Sequence, residues 1–267
     1  MIPEEPKKRR RGVYLLPNLF TTFGLFSGFY AIISAINGQF VHAAVAVFAA
    51  MVLDGIDGRV ARMTNTQTDF GAQYDSLSDL VSFGLAPALI MYEWSLKSLA
   101  DMGSEMGKLG WLAAFVYTAM AALRLARFNA SIGKVEKKYF VGLASPAAAM
   151  LVVSFVWVCE EFLTVKVNGT EMWLWSLIIT VGAAALMISP IFYHSFKEIN
   201  QEGRIPFKGT LIIVLLLVLV IIDPPKVTFA VFLLYALSGP IFALSRRISR
   251  RHGRATKPLP EVKNQKP

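Results

Sequence analysis

Between Met51 and Gly84 the chain reads MVLDGIDGRVARMTNTQTDFGAQYDSLSDLVSFG, where Asp54, Asp57, Asp75 and Asp79 interrupt otherwise apolar sequence. Asp54 and Asp57 are spaced i,i+3 and Asp75 and Asp79 i,i+4, so each pair falls on one face of a helix. The polar turn Met63–Asp69 is short enough to fold the two helices antiparallel with the pairs facing each other. Four converging carboxylates make a hard-oxygen cation site, suited to Mg²⁺, Mn²⁺ or Ca²⁺ rather than zinc or copper, and no Cys or His lies nearby to alter that. Of these ions Mg²⁺ characteristically bridges carboxylates and substrate phosphates, so the chemistry to expect is metal-assisted work on a phosphate group. An EF-hand is excluded, because the D-x-[DN]-x-[DN]-G spacing is absent.

The elements that must carry these acids are membrane helices. The 267 residues are 55% hydrophobic and only 17% charged, with a mean hydropathy of +0.51, against about 25% charged in an ordinary soluble domain. Gly209–Asp223 and Val227–Leu244 each hold a long apolar run with hardly a charge. A soluble globular enzyme is excluded. The spacing of apolar runs predicts an all-α integral membrane protein of about eight transmembrane helices, at roughly 13–36, 41–62, 70–97, 109–131, 144–165, 172–196, 208–223 and 227–247. Were the last two a single re-entrant element turning at Asp223-Pro224-Pro225-Lys226, the count would fall to six. An aspartate in mid-membrane costs about 2.5–3.5 kcal/mol, so four unpaired would cost on the order of 10 kcal/mol, and something must offset their charge.

The net charge of +9 sits in blocks at the chain ends and in short loops, which speaks for membrane topology and against a nucleic-acid partner. With an even number of spans, all of the 27 Lys and Arg except Lys97, Lys108, Lys166 and Lys226 fall on the side of the termini, which is therefore expected to be cytoplasmic. The apolar run after Lys7–Arg11 is long for a signal peptide and contains Pro17-Asn18, Thr21 and Thr22, so it reads as a retained first helix. Basic tails at 1–12 and 248–267 complete the predicted layout. Cys159 is the single cysteine, which leaves no disulfide and no multi-Cys metal site, and none of the three histidines stands beside the acids.

Gly55, Gly58, Ala61, Gly71 and Ala72 accompany the acids, and Arg62 follows Gly58 by one turn. The order Asp-x2-Asp-Gly-x2-Ala-Arg-x8-Gly-x3-Asp-x3-Asp is met at every position from Asp54 to Asp79. It resembles the signature of the CDP-alcohol phosphatidyltransferase family, integral membrane enzymes of phospholipid synthesis. The resemblance implies a catalytic core at 13–200 whose six helices surround a cytoplasm-facing polar cavity, followed by two additional helices at 201–247. It implies Asp54, Asp57 and Asp75 as ligands of one or two Mg²⁺ or Mn²⁺ ions. Asp79 would be a ligand or near-ligand and the general base, and Gly58, Ala61, Arg62 and Gly71 would line the nucleotide and phosphate part of the cavity. A homodimer is implied at family level. Physical requirements run the same way: transfer from a pyrophosphate needs charge neutralisation and a good leaving group, which metal supplies, and a carboxylate beside a weakly nucleophilic hydroxyl can accept its proton. Asn18 and Thr21, in a Pro17-Asn18-x2-Thr21 segment usual at the start of the family's first core helix, could bond the cytosine or satisfy helix-end backbone groups.

A second polar cluster closes the fourth predicted helix, where Arg124 and Arg127 are spaced i,i+3 and Asn129 follows. The string RLARFN with Phe-x-Gly-Leu-x-Ser-Pro-Ala-Ala at Phe140–Ala148 resembles the phosphatidylserine synthase branch of the family, which usually has proline where this chain has Ala144. That branch implies CDP-diacylglycerol and L-serine as substrates, membrane lipids as surroundings and the cytoplasmic membrane of a bacterium as the location. The arginines could hold a serine carboxylate or a lipid phosphate, and the motif does not say which does which. The same chemistry on glycerol 3-phosphate, inositol phosphate or choline is one alternative, and a divalent-cation transporter is another of a different class.

Overall fold

Each apolar run is helical in the computed structural model, which describes residues 15–64, 68–131, 139–162, 169–194 and 207–251. Helices α1 (Leu15–Ile36) and α2 (Phe40–Met63) form a hairpin that turns at Gly38, whose φ of +73° glycine adopts without a Cβ penalty. Small side chains let the two backbones approach, and Ala31, Ala35, Ala43, Ala44, Val47 and Ala50 are all buried. The other face of α1 shows Phe23, Phe26, Phe29 and Ile33 to the outside, an apolar surface suited to lipid.

The third predicted helix is one rod in three parts: α3 (Asp69–Asp79), a π-helical turn (Leu80–Leu85) and α4 (Ala86–Trp94). Thr68 caps its start, Oγ1 accepting from the Gly71 N–H at 3.0 Å. The π turn has a cause in the sequence. Pro87 has no N–H, so the Phe83 carbonyl loses its ordinary helical donor, and the Ala86 N–H reaches back to Val81. The rod stops at Trp94 rather than 97, a 3₁₀ turn fills Leu96–Met102, and α5 (Ser104–Ser131) begins before the predicted 109.

α6 (Ser145–Phe162) lies at the centre, with every residue from Ala147 to Val153 buried, and it contacts α2, α4, α7 (Trp173–Ile188) and the last helix. The expected helix over 172–196 stops at Ile188. Pro190 disfavours helical backbone at Ser189, whose ψ is 148°. The chain then forms a short antiparallel ribbon that the sequence reading lacked, with β2 (Phe192–His194) against β1 (Tyr139–Val141) and Tyr193 opposite Phe140.

α8 (Phe207–Ile222) and α9 (Pro224–Arg251) meet at Asp223, which accepts the Lys226 N–H at 3.3 Å and pairs with its Nζ at 2.6 Å. That ammonium holds the Asp223 carboxyl below the usual carboxylate range. α9 continues past Pro240 to Arg251, overlapping the predicted tail 248–267, and the tail 1–12 lies outside the described residues. Among the described residues, stretches of α1, α2, α5 and α9 are long and apolar enough to cross a membrane, and α7 is a shorter apolar helix. The architecture is that of an all-α, multi-pass membrane protein.

Candidate active site

Asp54 and Asp57 stand well before the end of α2, about 14 and 9 Å along its axis from Met63. The short connection to α3 returns the chain so that carboxylate oxygens of Asp54, Asp57 and Asp75 lie within 4.8 Å of one another. Asp57 is 5% exposed and accepts the Thr21 hydroxyl at 2.9 Å. Asp79 is one turn beyond Asp75 and lines the same narrow recess, but it stands outside the trio.

No basic side chain among the described residues lies within ion-pair distance of the trio. Two like charges about 5 Å apart repel by about 3 kcal/mol at an effective dielectric near 20, so three ionised carboxylates this close call for a cation. Their donor set is all oxygen, with no sulfur or imidazole, and it fits a hard divalent ion such as Mg²⁺ or Mn²⁺.

α1 forms the facing wall. Ser78 Oγ donates to the Thr21 carbonyl at 3.2 Å and Ser82 Oγ to the Gly24 carbonyl at 3.1 Å, which fixes the acid-bearing rod to α1 over two turns. Thr22 and Tyr74 share a hydrogen bond of 3.0 Å nearer the mouth. A Cβ at Gly71 would sit 3.1 Å from Thr68 Oγ1 and 3.4 Å from Asn18 Oδ1, so Asn18 and Gly71 are neighbours, and neither lines the recess itself. Gly58 follows Asp57 and is half-buried. Ala61 and Arg62 belong to the last turn of α2, and their side chains lie outside the described residues.

The two arginines part company. Arg124 is 9% exposed, donates from Nη1 to Ser145 Oγ at 2.7 Å, and keeps a buried Nε with no partner. From α5 it is within electrostatic range of Asp79. Arg127 instead donates to the carbonyls of Ile188 (3.1 Å), Val141 (2.8 Å) and Met187 (3.4 Å), closing the end of α7 onto the ribbon. Gly142, at φ +83°, has no room for a Cβ between the Met187 carbonyl and Arg127. Asn129 donates to Ser76 Oγ at 2.9 Å and so ties α5 to the helix of Asp75 and Asp79.

Sequence reasoning missed Ser78, Ser82 and Ser145. Ser78 and Ser82 are spaced i,i+4 and lie three residues beyond Asp75 and Asp79 in turn, a polar stripe continuing the acid face that could have been read. Ser145 stands in the Phe140–Ala148 motif, but nothing local pairs it with Arg124, which is 21 residues away.

The profile of the CDP-alcohol phosphatidyltransferase family matches residues 14–179, from the start of α1 into α7. A protein of Helicobacter pylori (strain ATCC 700392 / 26695) named CDP-diacylglycerol–serine O-phosphatidyltransferase is 35% identical over 243 residues, 90% of this chain and 97% of its own length. Proteins of the same name from Methanocaldococcus jannaschii and Bacillus subtilis (strain 168) are each 31% identical, over 86% and 70% of this chain and 95% and 94% of their own lengths. With the acid signature seated in one recess and the match spanning most of the helices around it, the chain belongs to the CDP-alcohol phosphatidyltransferase family.

Proposed function

We propose that this protein transfers the phosphatidyl group of CDP-diacylglycerol to the hydroxyl of L-serine, giving phosphatidylserine and CMP. The observation that carries the reading is the division of the acids: Asp54, Asp57 and Asp75 form a trio fit for a cation, and Asp79 stands apart in the same recess. The names of the relatives supply the substrates.

Asp54, Asp57 and Asp75 would hold Mg²⁺ or Mn²⁺, one ion or two. Bound there, the metal supplies neutralisation of the pyrophosphate charge and a better leaving group. The chain's own residues do the rest. Thr21 orients the Asp57 carboxylate. Gly58, Ala61, Arg62, Gly71 and Asn18 line the nucleotide and phosphate side, where Arg62 at the last turn of α2 suits a phosphate oxygen. Arg124, anchored on Ser145 with donor capacity to spare, receives the serine carboxylate. Arg127 and Asn129 hold the ribbon and α3 in place around it. Asp79 takes the hydroxyl proton as the serine oxygen attacks the lipid phosphorus, and the phosphorus–oxygen bond to CMP breaks.

In this reading residues 13–200 form the catalytic core and 201–247 an added helical pair. The protein is a homodimer in a bacterial cytoplasmic membrane, with both basic tails on the cytoplasmic side. The test is CMP release from CDP-diacylglycerol with Mg²⁺ or Mn²⁺, comparing serine, glycerol 3-phosphate, inositol phosphate, choline and no acceptor, with D79N alongside. Serine-dependent release that disappears in D79N is the expected result. Release with another alcohol would replace the acceptor, and no release with any acceptor from folded, metal-loaded protein would overturn the reading.

A further inference from the structure

Pro87, inside the rod formed by α3, the π turn and α4, and Pro240, inside α9, each leave a carbonyl that a buried tyrosine answers. Pro240 leaves the Ala236 carbonyl without its helical donor, and the Tyr193 hydroxyl donates to it at 3.0 Å. Pro87 does the same to the Phe83 carbonyl, which takes the Tyr117 hydroxyl at 3.2 Å. The chemistry is one device used twice, yet only the second copy stands beside an acid of the recess. Phe83 is in the π turn that begins directly after Asp79, and Phe83 itself lines the recess.

A π turn takes more residues per turn than an α-helix, so it sets how far α3 and its acids are rotated relative to α4. α4 is locked, because Ile90, Met91 and Trp94 are buried in the core. The rotation is then decided by what grips the turn. Ser82 holds it to α1 through the Gly24 carbonyl, and a Cβ at Gly28 would overlap Ser82, so that approach is as close as glycine permits. From the opposite side Tyr117, with no exposed surface, holds the next residue to α5 at 3.2 Å, and Thr118 adds a longer contact of 3.3 Å to the Gly84 carbonyl from a hydroxyl it shares with the Ala114 carbonyl.

We propose that Tyr117 is a positioning residue for Asp79: by occupying the carbonyl that Pro87 leaves without a partner, it pins the π turn to α5 and fixes the rotation at which Asp79 enters the recess. It rests on the reading of Asp79 as part of the catalytic machinery.

The experiment is steady-state CMP release by the purified full-length protein for Y117F, P87A, Y117F/P87A, Y193F and D79N, with thermal midpoints measured on the same samples. Y117F removes one hydroxyl and is expected to lower kcat about tenfold or more, as a small misplacement of a reacting group does. Its KM for serine and for CDP-diacylglycerol should stay within about twofold. P87A gives residue 87 an N–H for the Phe83 carbonyl and removes the cause of the π turn, so it should lower kcat by itself, and Y117F/P87A should be no slower than P87A because Tyr117 then has no open carbonyl to hold. Y193F makes the same deletion at Pro240 and should lower the thermal midpoint with kcat within about twofold. An unchanged kcat in folded Y117F, a double variant much slower than P87A, or an equal kcat loss in Y193F would overturn the proposal. D79N separates the two readings: an active D79N removes the premise, whereas an inactive D79N beside a fully active Y117F removes only the role of Tyr117.

Discussion

The acid wall of the recess and the arginine wall on α5, which does not itself line the recess, are built in opposite ways. The acids come from one helical hairpin, Asp54 to Asp79, and their charges repel with no cation in the described protein to answer the trio. The arginines are three residues apart, yet their partners come from elements far along the chain: Ser145 for Arg124, and Val141, Met187 and Ile188 for Arg127. One wall is cheap to assemble and electrostatically incomplete. The other is costly to assemble and almost complete, with the Arg124 Nε left over. Repulsion among the trio means that function and stability pull apart on the acid wall, while on the arginine wall they run together.

The sharpest break of that contrast is D57N. The amide keeps a bond to Thr21 and removes one negative charge from the trio. CMP release should fall by more than about 10³-fold, equivalent to about 4 kcal/mol of barrier, and the Mg²⁺ needed for half-activity should rise. Without added metal the same variant should be more stable than the parent, by about 1–3 kcal/mol of relieved repulsion. Activity assays with thermal unfolding plus and minus Mg²⁺ measure both signs. A metal-free protein that is less stable as D57N would mean that the carboxylates are compensated within the chain, and the contrast between the walls would fail.

The same contrast explains what was legible in the sequence. The acid wall depends on spacing within a single hairpin, so the clustering of Asp54, Asp57, Asp75 and Asp79 could be read from helical periodicity and the family signature, whereas Thr21, read as a partner of the cytosine or of helix-end backbone, bonds Asp57 instead. The long apolar runs likewise gave the helices, because lipid demands internally bonded backbone. What escaped reading was set by backbone chemistry at prolines and by distant partners. Pro190 ends α7 and frees Phe192–His194 to pair with a segment about fifty residues earlier, a contact no local window contains. Pro87 gives the π turn, which a count of 3.6 residues per turn smooths over. The roles of Arg124 and Arg127 could not be separated by their i,i+3 spacing, since the difference lies in Ser145 on one side and three carbonyls on the other.

A smaller effect tests the arginine wall at Arg124, whose buried Nε has no partner. R124K keeps the charge and loses the planar fork that can hold Ser145 and a carboxylate together. Charge-assisted hydrogen bonds contribute about 1.5–3 kcal/mol, so the KM for serine should rise about 10- to 100-fold while the KM for CDP-diacylglycerol stays put. A rise confined to CDP-diacylglycerol would move Arg124 to the lipid phosphate and leave the carboxylate to another group.

The smallest effect is expected three residues on. Arg127 spends its donors on the last carbonyls of α7 and on Val141, and the side chain is exposed, so water can take over those acceptors when it is removed. R127Q should therefore lower stability by about 1 kcal/mol and leave the KM for serine within about threefold, because the ribbon it closes still has its own ladder and the Tyr193 bond to α9. The comparison of R127Q with R124K decides whether the arginine wall holds one functional cation or two. If the serine KM of R127Q climbs as far as that of R124K, Arg127 reaches the acceptor as well, the ribbon is a wall of the binding site, and the completeness of that wall is a property of the resting protein alone.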